Sequence, residues 1–284
     1  MVDLAKDEFD TLLLCNLLGL ARSSFYYIST TGDDSWLRQQ IERICLTHHR
    51  RGYRLVTNAL HREEIIVNKK RVQRLIQEMG LFVRPRRKRI VTTRSESGTS
   101  PYPNLLKGFL VTYPNQVWCA DITYLPLANG QTAYLALLFD IFTRMVRGWS
   151  MGREMSVKLI DQALDRALAK GHQPLIHHSD QGGQYIASSY CQRLLGMSCQ
   201  ISMAGRAKPW ENPYIESTIG RIKDEYILDE EYFDFQQAYE HLHHVLDRVY
   251  NYERPHSSLG YLTPAEFEAQ YQARHNNQEG YRLG

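Results

Sequence analysis

Three carboxylates occupy positions that set them apart from the chain's other acids. Asp121 falls inside the apolar, β-prone run Val117-Trp-Cys-Ala-Asp-Ile-Thr-Tyr-Leu125. A carboxylate there is costly to bury unless a cation or hydrogen bonds satisfy it. Asp180 ends a short strand, Gln173-Pro-Leu-Ile-His-His178, ahead of Gln181-Gly-Gly183. Glu216 follows Asn212-Pro213, an N-cap and an N1 proline, which places it in the first turns of a helix. Asp121 and Asp180 have 58 residues between them, Asp180 and Glu216 have 35. Oxygen ligands brought together from two strands and a helix suit Mg²⁺, with Mn²⁺ as substitute; both keep waters and bind phosphate oxygens. Two such ions about 3.5–4 Å apart activate the attacking oxygen and stabilise the leaving one in an in-line phosphoryl displacement. The chain has 31 acids, so three of them alone do not establish this chemistry.

The elements around them form a consistent series. Val117–Leu125, Thr132–Ile141 and Met145–Ser150 read as a three-strand meander. Val157–Ala169 is an amphipathic helix with Leu159, Ile160, Leu164 and Leu168 on one face. The strand ending at His178, a helix over 188–195, a strand over 198–202, a loop and a long helix follow. In the last helix the apolar stripe is Ile215, Ile219, Ile222 and Tyr226, and Glu216, Gly220 and Lys223 lie one position over. Glu216 therefore borders the buried face. The series predicts an α/β fold, a ribonuclease-H-like core with a mixed five-stranded sheet and flanking helices, preceded by an all-α region.

That all-α region is basic. The whole chain of 284 residues carries a net charge of only +3, and 43% hydrophobic and 23% charged residues mark an ordinary globular protein. Residues 1–110 hold 19 Lys and Arg against 11 Asp and Glu, whereas residues 111–284 hold 15 against 20. A net of +8 in front and −5 behind points to nucleic-acid contact in the front half. Helices are predicted over 36–48 and 53–63. A third is capped by Asn68, has Val72, Leu75, Ile76 and Met79 as its apolar stripe, and stops at Gly80. Its other face carries Lys69, Lys70, Arg71, Gln73, Arg74 and Gln77, the way helix-turn-helix modules present themselves to DNA. Arg84-Pro-Arg-Arg-Lys-Arg89, with charges at Arg84, Arg86, Arg87, Lys88 and Arg89, reads as an exposed arm along a phosphate backbone. The expected organisation is an N-terminal helical segment (1–35), a helix-turn-helix-like domain (36–83), a basic flexible linker (84–110) and a catalytic core with a C-terminal helical tail (111–284).

Five scattered cysteines without a C-x-x-C pair indicate neither a disulfide framework nor a zinc site, and a reducing cytoplasm fits them. No apolar run approaches the ~20 residues of a membrane span.

Local wording adds a family resemblance. Trp118-x-x-Asp121-Ile-Thr-Tyr124, His178-Ser-Asp-Gln-Gly-Gly-Gln-Tyr185 and Asn212-x-x-x-Glu216 followed by Lys223 resemble the three blocks of the DDE transposase and retroviral-integrase core. Tyr250-Asn-Tyr-Glu-Arg-Pro-His-Ser-Ser-Leu-Gly-Tyr-Leu-Thr-Pro264 is similar to the closing signature of bacterial insertion-sequence transposases of the OrfB type, the insertion-sequence-three family. Arg22-Ser-Ser-x-Tyr26, Gly52-Tyr-Arg54 and Lys70-Arg-Val-x-Arg-Leu75 resemble their N-terminal region. The resemblance implies Asp121, Asp180 and Glu216 as catalytic metal ligands, binding two ions per site. It also implies water-driven cleavage at a transposon end, then attack of the freed 3′-hydroxyl on a second phosphodiester. Double-stranded DNA is the implied partner, with at least a dimer on the terminal inverted repeats and target, and an OrfA partner or fusion upstream. Two departures stand out. Glu211-Asn212-Pro213 replaces a frequent Asp-Asn-Ala, and the His/Cys zinc module of retroviral integrases is absent.

Several residues carry open alternatives. Asp140 is a structural hydrogen-bond acceptor or a fourth ligand. His177 and His178 contact phosphate or pack at a strand end. Arg206 and Lys208, in the loop before the last helix, and Lys223 and Arg54 are candidate DNA contacts. Arg254 and His256 touch DNA or pack at a helix end, and Trp118 is expected in the core. At the level of function, the alternatives are an inactive DNA-end-binding regulator and a ribonuclease-H-like nuclease that cuts without joining.

Overall fold

In the computed structural model, which describes residues 11–17, 19, 33–48, 50–81, 100–205 and 208–280, one long strand organises the back half. This strand, β1 (Val117–Pro126), pairs antiparallel with β2 (Thr132–Asp140) and parallel with β4 (Ile176–Ser179). With β3 (Val146–Gly152) and β5 (Gln200–Met203) the order is β3-β2-β1-β4-β5. The first three strands form the expected meander, and β4 and β5 add in parallel through intervening helices.

Both faces of this mixed sheet are covered, so β1 and β2 read as near-continuous apolar runs rather than alternating ones. On one face Val117, Cys119, Leu135, Leu137 and Ile176 pack against Ile215, Ile219 and Ile222 of α7 (Pro213–Ile222). Helix α8 (Phe235–His244) lies on the same side through Ala238 and Leu242. On the other face Trp118, Ala120, Ala136 and Leu138 meet α5 (Val157–Leu168) and α6 (Ser188–Gly196) through Leu159, Leu164, Tyr190 and Leu194. Each such buried leucine contributes about 1.5–3 kcal/mol. Helix α5 crosses β3 so closely that a Cβ on Gly148 would lie 2.1 Å from the Ala163 carbonyl oxygen. This is the ribonuclease-H-like architecture that the sequence predicts.

Boundaries shift where local chemistry intervenes. Strand β4 starts at Ile176 rather than Gln173, because Pro174 has no N–H for a ladder. Strand β5 starts after Ser198, whose φ of 58° breaks extended backbone. Helix α7 continues through a π-helical turn, Lys223–Ile227. A second π-helical stretch, Val245–Glu253, precedes the closing helix α9 (Pro264–Gly280).

In the front half, Thr11–Leu17 forms α1. Helices α2 (Ser35–Thr47), α3 (Tyr53–Arg62) and α4 (Lys69–Glu78) share a core of Ile41, Val56, Leu60, Val72 and Leu75. Asn68 caps α4, its Oδ1 accepting from the Lys70 N–H at 2.8 Å, and Gly80 ends it at φ 68°. This unit docks on the back half. Arg50 forms a bidentate pair with Asp229, and Arg62 bonds Glu266 and the Tyr261 carbonyl. The expected linker ends before residue 110. Leu105 N–H donates to Ser202 Oγ at 2.9 Å, Pro103 O accepts from Met203 N–H, and Leu105 and Leu106 pack on the core. No helix among the described residues is long and apolar enough to cross a membrane.

Candidate active site and nucleic-acid contacts

The parallel register of β1 and β4 sets Val117 beside Ile176, Trp118 beside His177 and Cys119 beside His178. Asp121 lies two residues beyond Cys119 within β1, and Asp180 follows the last residue of β4, so both stand just past the end of this ladder. Alternation puts Asp121 on the side of Val117 and Cys119, the face on which α7 packs. Glu216 lies in the first turn of α7, next to the fully buried Ile215, where the helix dipole favours a negative charge. The expected N-cap bond is absent. Asn212 occupies the cap position, but its side chain makes no capping hydrogen bond, and its Oδ1 is buried without a partner. Backbone bonding and Pro213 start the helix instead.

Around Asp180 the chain is tightly drawn. The Gly182 N–H donates to Asp180 Oδ1 at 2.9 Å, and a Cβ on Gly182 would lie 3.1 Å from that oxygen. Gln181 Nε2 donates to the Ala204 carbonyl at 2.9 Å. Dense surrounding protein raises the Asp180 carboxyl above its ordinary value, although the residue keeps an exposed edge; the Gly182 N–H pulls the other way. Burial, followed by the charge of Asp121 and then the neighbouring Tyr190 and Asp180, pushes the Tyr185 hydroxyl well above its usual range. Among the described residues, no three His, Cys, Asp or Glu side chains are gathered into a metal-holding cluster. The three carboxylates come from separate elements and carry like charge, and nothing local forces them into contact. The donor set still fits hydrated Mg²⁺, which is held by one or two carboxylates together with water and substrate phosphate.

The neighbouring residues divide clearly. Asp140 is fully buried and structural; it accepts from Asn115 N–H, Phe142 N–H and Arg147. His177 bonds the Tyr190 hydroxyl at 3.1 Å, and His178 bridges Ser202 Oγ and the Glu211 carbonyl, so both pack at the strand end. Trp118 is in the core, its indole N–H on Asn115 Oδ1. The ammonium of Lys223 lies 4.5 Å from the centroid of the exposed Tyr124 ring.

Of the candidate DNA contacts, Lys69 and Lys70 are exposed at the start of α4. Arg71 and Arg74 both bind Asp34, and Arg74 also pairs with Glu78. Lys208 stands 3.7 Å from Glu211. Arg54 is exposed and lies over the Tyr53 ring. Arg84, Arg86, Arg87, Lys88, Arg89 and Arg206, and the Arg22–Tyr26 motif, lie outside the described residues. Arg254 is buried in a bidentate pair with Glu225.

Sequence reasoning does not single out Glu211. It accepts from the Gly205 N–H at 2.7 Å and from Asn104 Nδ2 at 3.0 Å, and pairs with Lys107; these hold its carboxyl down at about 2. Glu211 thereby ties the segment before α7 to the segment before β1. The one sequence signal is its place in the departing Glu211-Asn212-Pro213.

Comparison with known proteins fits this layout. Integrase core domain models match residues 111–209 and 197–264, and an HTH-like domain model matches residues 32–89. The transposase for insertion sequence element IS904 of Lactococcus lactis subsp. lactis (strain IL1403) is 35% identical over 244 residues, spanning 81% of this chain and 96% of the relative. Transposase InsF for insertion sequence IS3A of Escherichia coli (strain K12) is 30% identical over 273 residues, spanning 92% and 94%. Among solved structures, the HTLV-2 integrase catalytic core domain in complex with magnesium aligns with 55% of this chain and 97% of that one, at 18% identity and a TM-score of 0.43.

Proposed function

The chain belongs to the transposases of bacterial insertion sequences, with an HTH-like domain and an integrase core, and we propose accordingly that it cuts DNA at transposon ends and joins the freed ends to new DNA. The observation that supports this reading is the β1–β4 ladder, which ends just before Asp121 and Asp180, with Glu216 in the first turn of the helix that packs on the Val117 and Cys119 face.

In the proposed reaction Asp121, Asp180 and Glu216 hold divalent Mg²⁺, two ions per site. When bound, the metal sharpens the attacking oxygen and offsets charge on the leaving one. The chain's own residues do the positioning. The Gly182 N–H fixes one Asp180 oxygen, Gln181 pins the loop to Ala204, and Glu211 holds the entrance to α7. In the first stage water attacks the phosphorus at the element end, the P–O3′ bond breaks, and the 3′ oxygen leaves as a hydroxyl. In the second stage that hydroxyl attacks another phosphodiester, and one P–O bond forms as another breaks. No covalent protein intermediate is required.

Residues 36–83 grip the end DNA and 111–284 carry out the reaction, joined by the basic segment from Arg84. Two ends must meet, so the working unit on DNA is at least a dimer, with OrfA as partner or fusion.

The test is end-containing duplex DNA with Mg²⁺, with OrfA supplied, scoring nicked and joined products separately. Wild type should yield both, EDTA should remove both, and Asp121→Asn should lose at least 10³-fold of each while still binding the ends. Triad-independent products would remove the assignment of these carboxylates. Nicks without joined products would reduce the chain to a nuclease, and end binding without either would make it a regulator.

A further inference from the structure

Where the helical unit meets the closing segment of the chain lies a cavity of about 460 Å³, in the size range of small-ligand sites. Its walls come from three distant parts of the sequence: Tyr53 and Arg54 at the start of α3, Arg221 on α7, and Arg254, His256 and Tyr261 of the closing signature.

The cavity is positive. Arg54 and Arg221 have no carboxylate partner among the described residues, whereas Arg254 is already neutralised by Glu225. Helix α3 has ten residues and begins after Gly52, which has no side chain to cap it, so the positive end of its dipole opens on the same space. His256 supplies an independent sign of a missing partner. It is 2% exposed, lines the cavity, and its Nε2 is buried with no hydrogen-bond partner. A buried imidazole nitrogen without a partner costs free energy that a ligand oxygen or hydroxyl would recover. Guanidinium groups, first-turn N–H groups and two tyrosines make a site for a phosphate with room for the attached sugar; no carboxylate lines the cavity to repel an anion.

Its place selects the source of that phosphate. Arg221 stands five residues after Glu216 on α7, about 7.5 Å along the helix axis. Five residues also turn the helix by about 500°, so Arg221 and Glu216 flank opposite sides of the buried Ile215, Ile219 and Ile222 stripe, and the cavity faces the junction of the helical unit with the core. We propose that this cavity is a second phosphodiester site, which holds one backbone phosphate of the element-end DNA between Arg54 and Arg221 and so couples the helical unit to the carboxylate site. The proposal rests on the transposase reading.

The test is a scan in which single phosphates along the element end are replaced by neutral methylphosphonates, with binding measured on the full chain. Wild type should have one phosphate, other than the scissile one, whose neutralisation weakens binding at least 10-fold. Arg54→Ala/Arg221→Ala should lose the same factor on native DNA, become indifferent to that one substitution, and show a slope of log K against log salt shallower by about 1. Arg54→Lys/Arg221→Lys should recover part of the binding, and unchanged melting temperatures should show that the variants fold. Variants that bind native DNA like wild type with the same salt slope would overturn the site while leaving the transposase reading intact. The site is overturned equally if inorganic phosphate stabilises wild type through these arginines but no DNA phosphate responds. A wild-type chain that binds no end DNA even with OrfA supplied would overturn the proposed cutting and joining of element ends itself.

Discussion

Arg147 Nη2 donates to Asp140 Oδ2 at 2.7 Å inside the sealed space behind the sheet, and the same guanidinium reaches Glu268 of α9 at 2.6 Å. Burial alone would weaken the guanidinium's hold on its proton, but the Glu268 and Asp140 carboxylates outweigh it and raise its pKa. One residue of β3 thus fastens the end of β2 to the closing helix. Arg147→Ala would leave two carboxylates without a counter-charge in that space and should cost about 3–5 kcal/mol. Urea denaturation of the isolated chain measures it. Asp140→Asn, which keeps most acceptor geometry, should cost less, and a smaller loss for Arg147→Ala than for Asp140→Asn would contradict this role.

Gly148 shows a different constraint on the same strand. A methyl group there would be driven to 2.1 Å from the Ala163 carbonyl oxygen and 2.9 Å from the Ala167 backbone nitrogen, atoms of helix backbone that cannot rotate away. Gly148→Ala should therefore force α5 off the sheet at a cost of at least 1–3 kcal/mol. Gly196→Ala on α6 meets nothing within 4 Å and serves as the comparison. Equal melting temperatures for the two variants would refute the close approach.

These two cases mark what the sequence reveals and what it hides. The strands are legible because residues 117–125 and 132–141 are apolar beyond the length of a turn, and α4 because Asn68 and Gly80 bracket a regular stripe. Asp140 is visible at a strand end, but only its buried bonds to Asn115, Phe142 and Arg147 decide between the two roles open to it. Long-range pairings are not legible. Nothing near Arg71 announces Asp34, 37 residues away, as its partner, and nothing near Lys208 marks it as a neighbour of an anchored Glu211. Asn212 reads as a side-chain cap because Asn before Pro is the usual cap pattern, while in the fold backbone bonding suffices. The carboxylates are visible as residue types at credible spacing, but their mutual register needs the β1–β4 ladder.

Acid should destabilise the fold in two overlapping windows that begin at different pH. Burial, then the neighbouring His178, pushes His177 down to about 3, and burial with Arg254, Arg221 and Arg144 pushes His256 down to about 2. Both stay neutral in the fold, while the unfolded chain binds a proton near pH 6.5, so their contribution is complete above about 6.5 and falls as pH drops towards 3. Each can remove up to about 1.4 kcal/mol per pH unit. Glu211 acts lower. Its carboxyl, held at about 2 chiefly by the Gly205 N–H and Asn104, contributes fully above about 4.5 and is lost as pH falls towards 2. Urea midpoints at pH 7.5, 5.5 and 4 should already decline in the first interval. His177→Gln should make that decline shallower and Glu211→Gln should not; the reverse pattern would refute the assignment.

The basic face of α4 separates into two kinds of cation, and they should behave differently on mutation. Lys69 and Lys70 stand exposed in the first turn with no carboxylate partner among the described residues, so their charge is available to phosphate. Arg71 and Arg74 are held by Asp34, which is largely buried and lies just before α2, and so they join two helices before they meet any ligand. Lys69→Ala and Lys70→Ala should each weaken DNA binding and make the salt slope shallower by about 1, with little change in melting temperature. Arg71→Ala/Arg74→Ala should lower the melting temperature first, because Asp34 loses both partners. Asp34→Asn separates the two roles most sharply, since it frees both arginines while removing a negative charge. It should raise DNA affinity at low salt even as it destabilises the helical unit. Unchanged affinity in that variant would mean that neither arginine reaches the DNA backbone, and that the two lysines carry the contact alone.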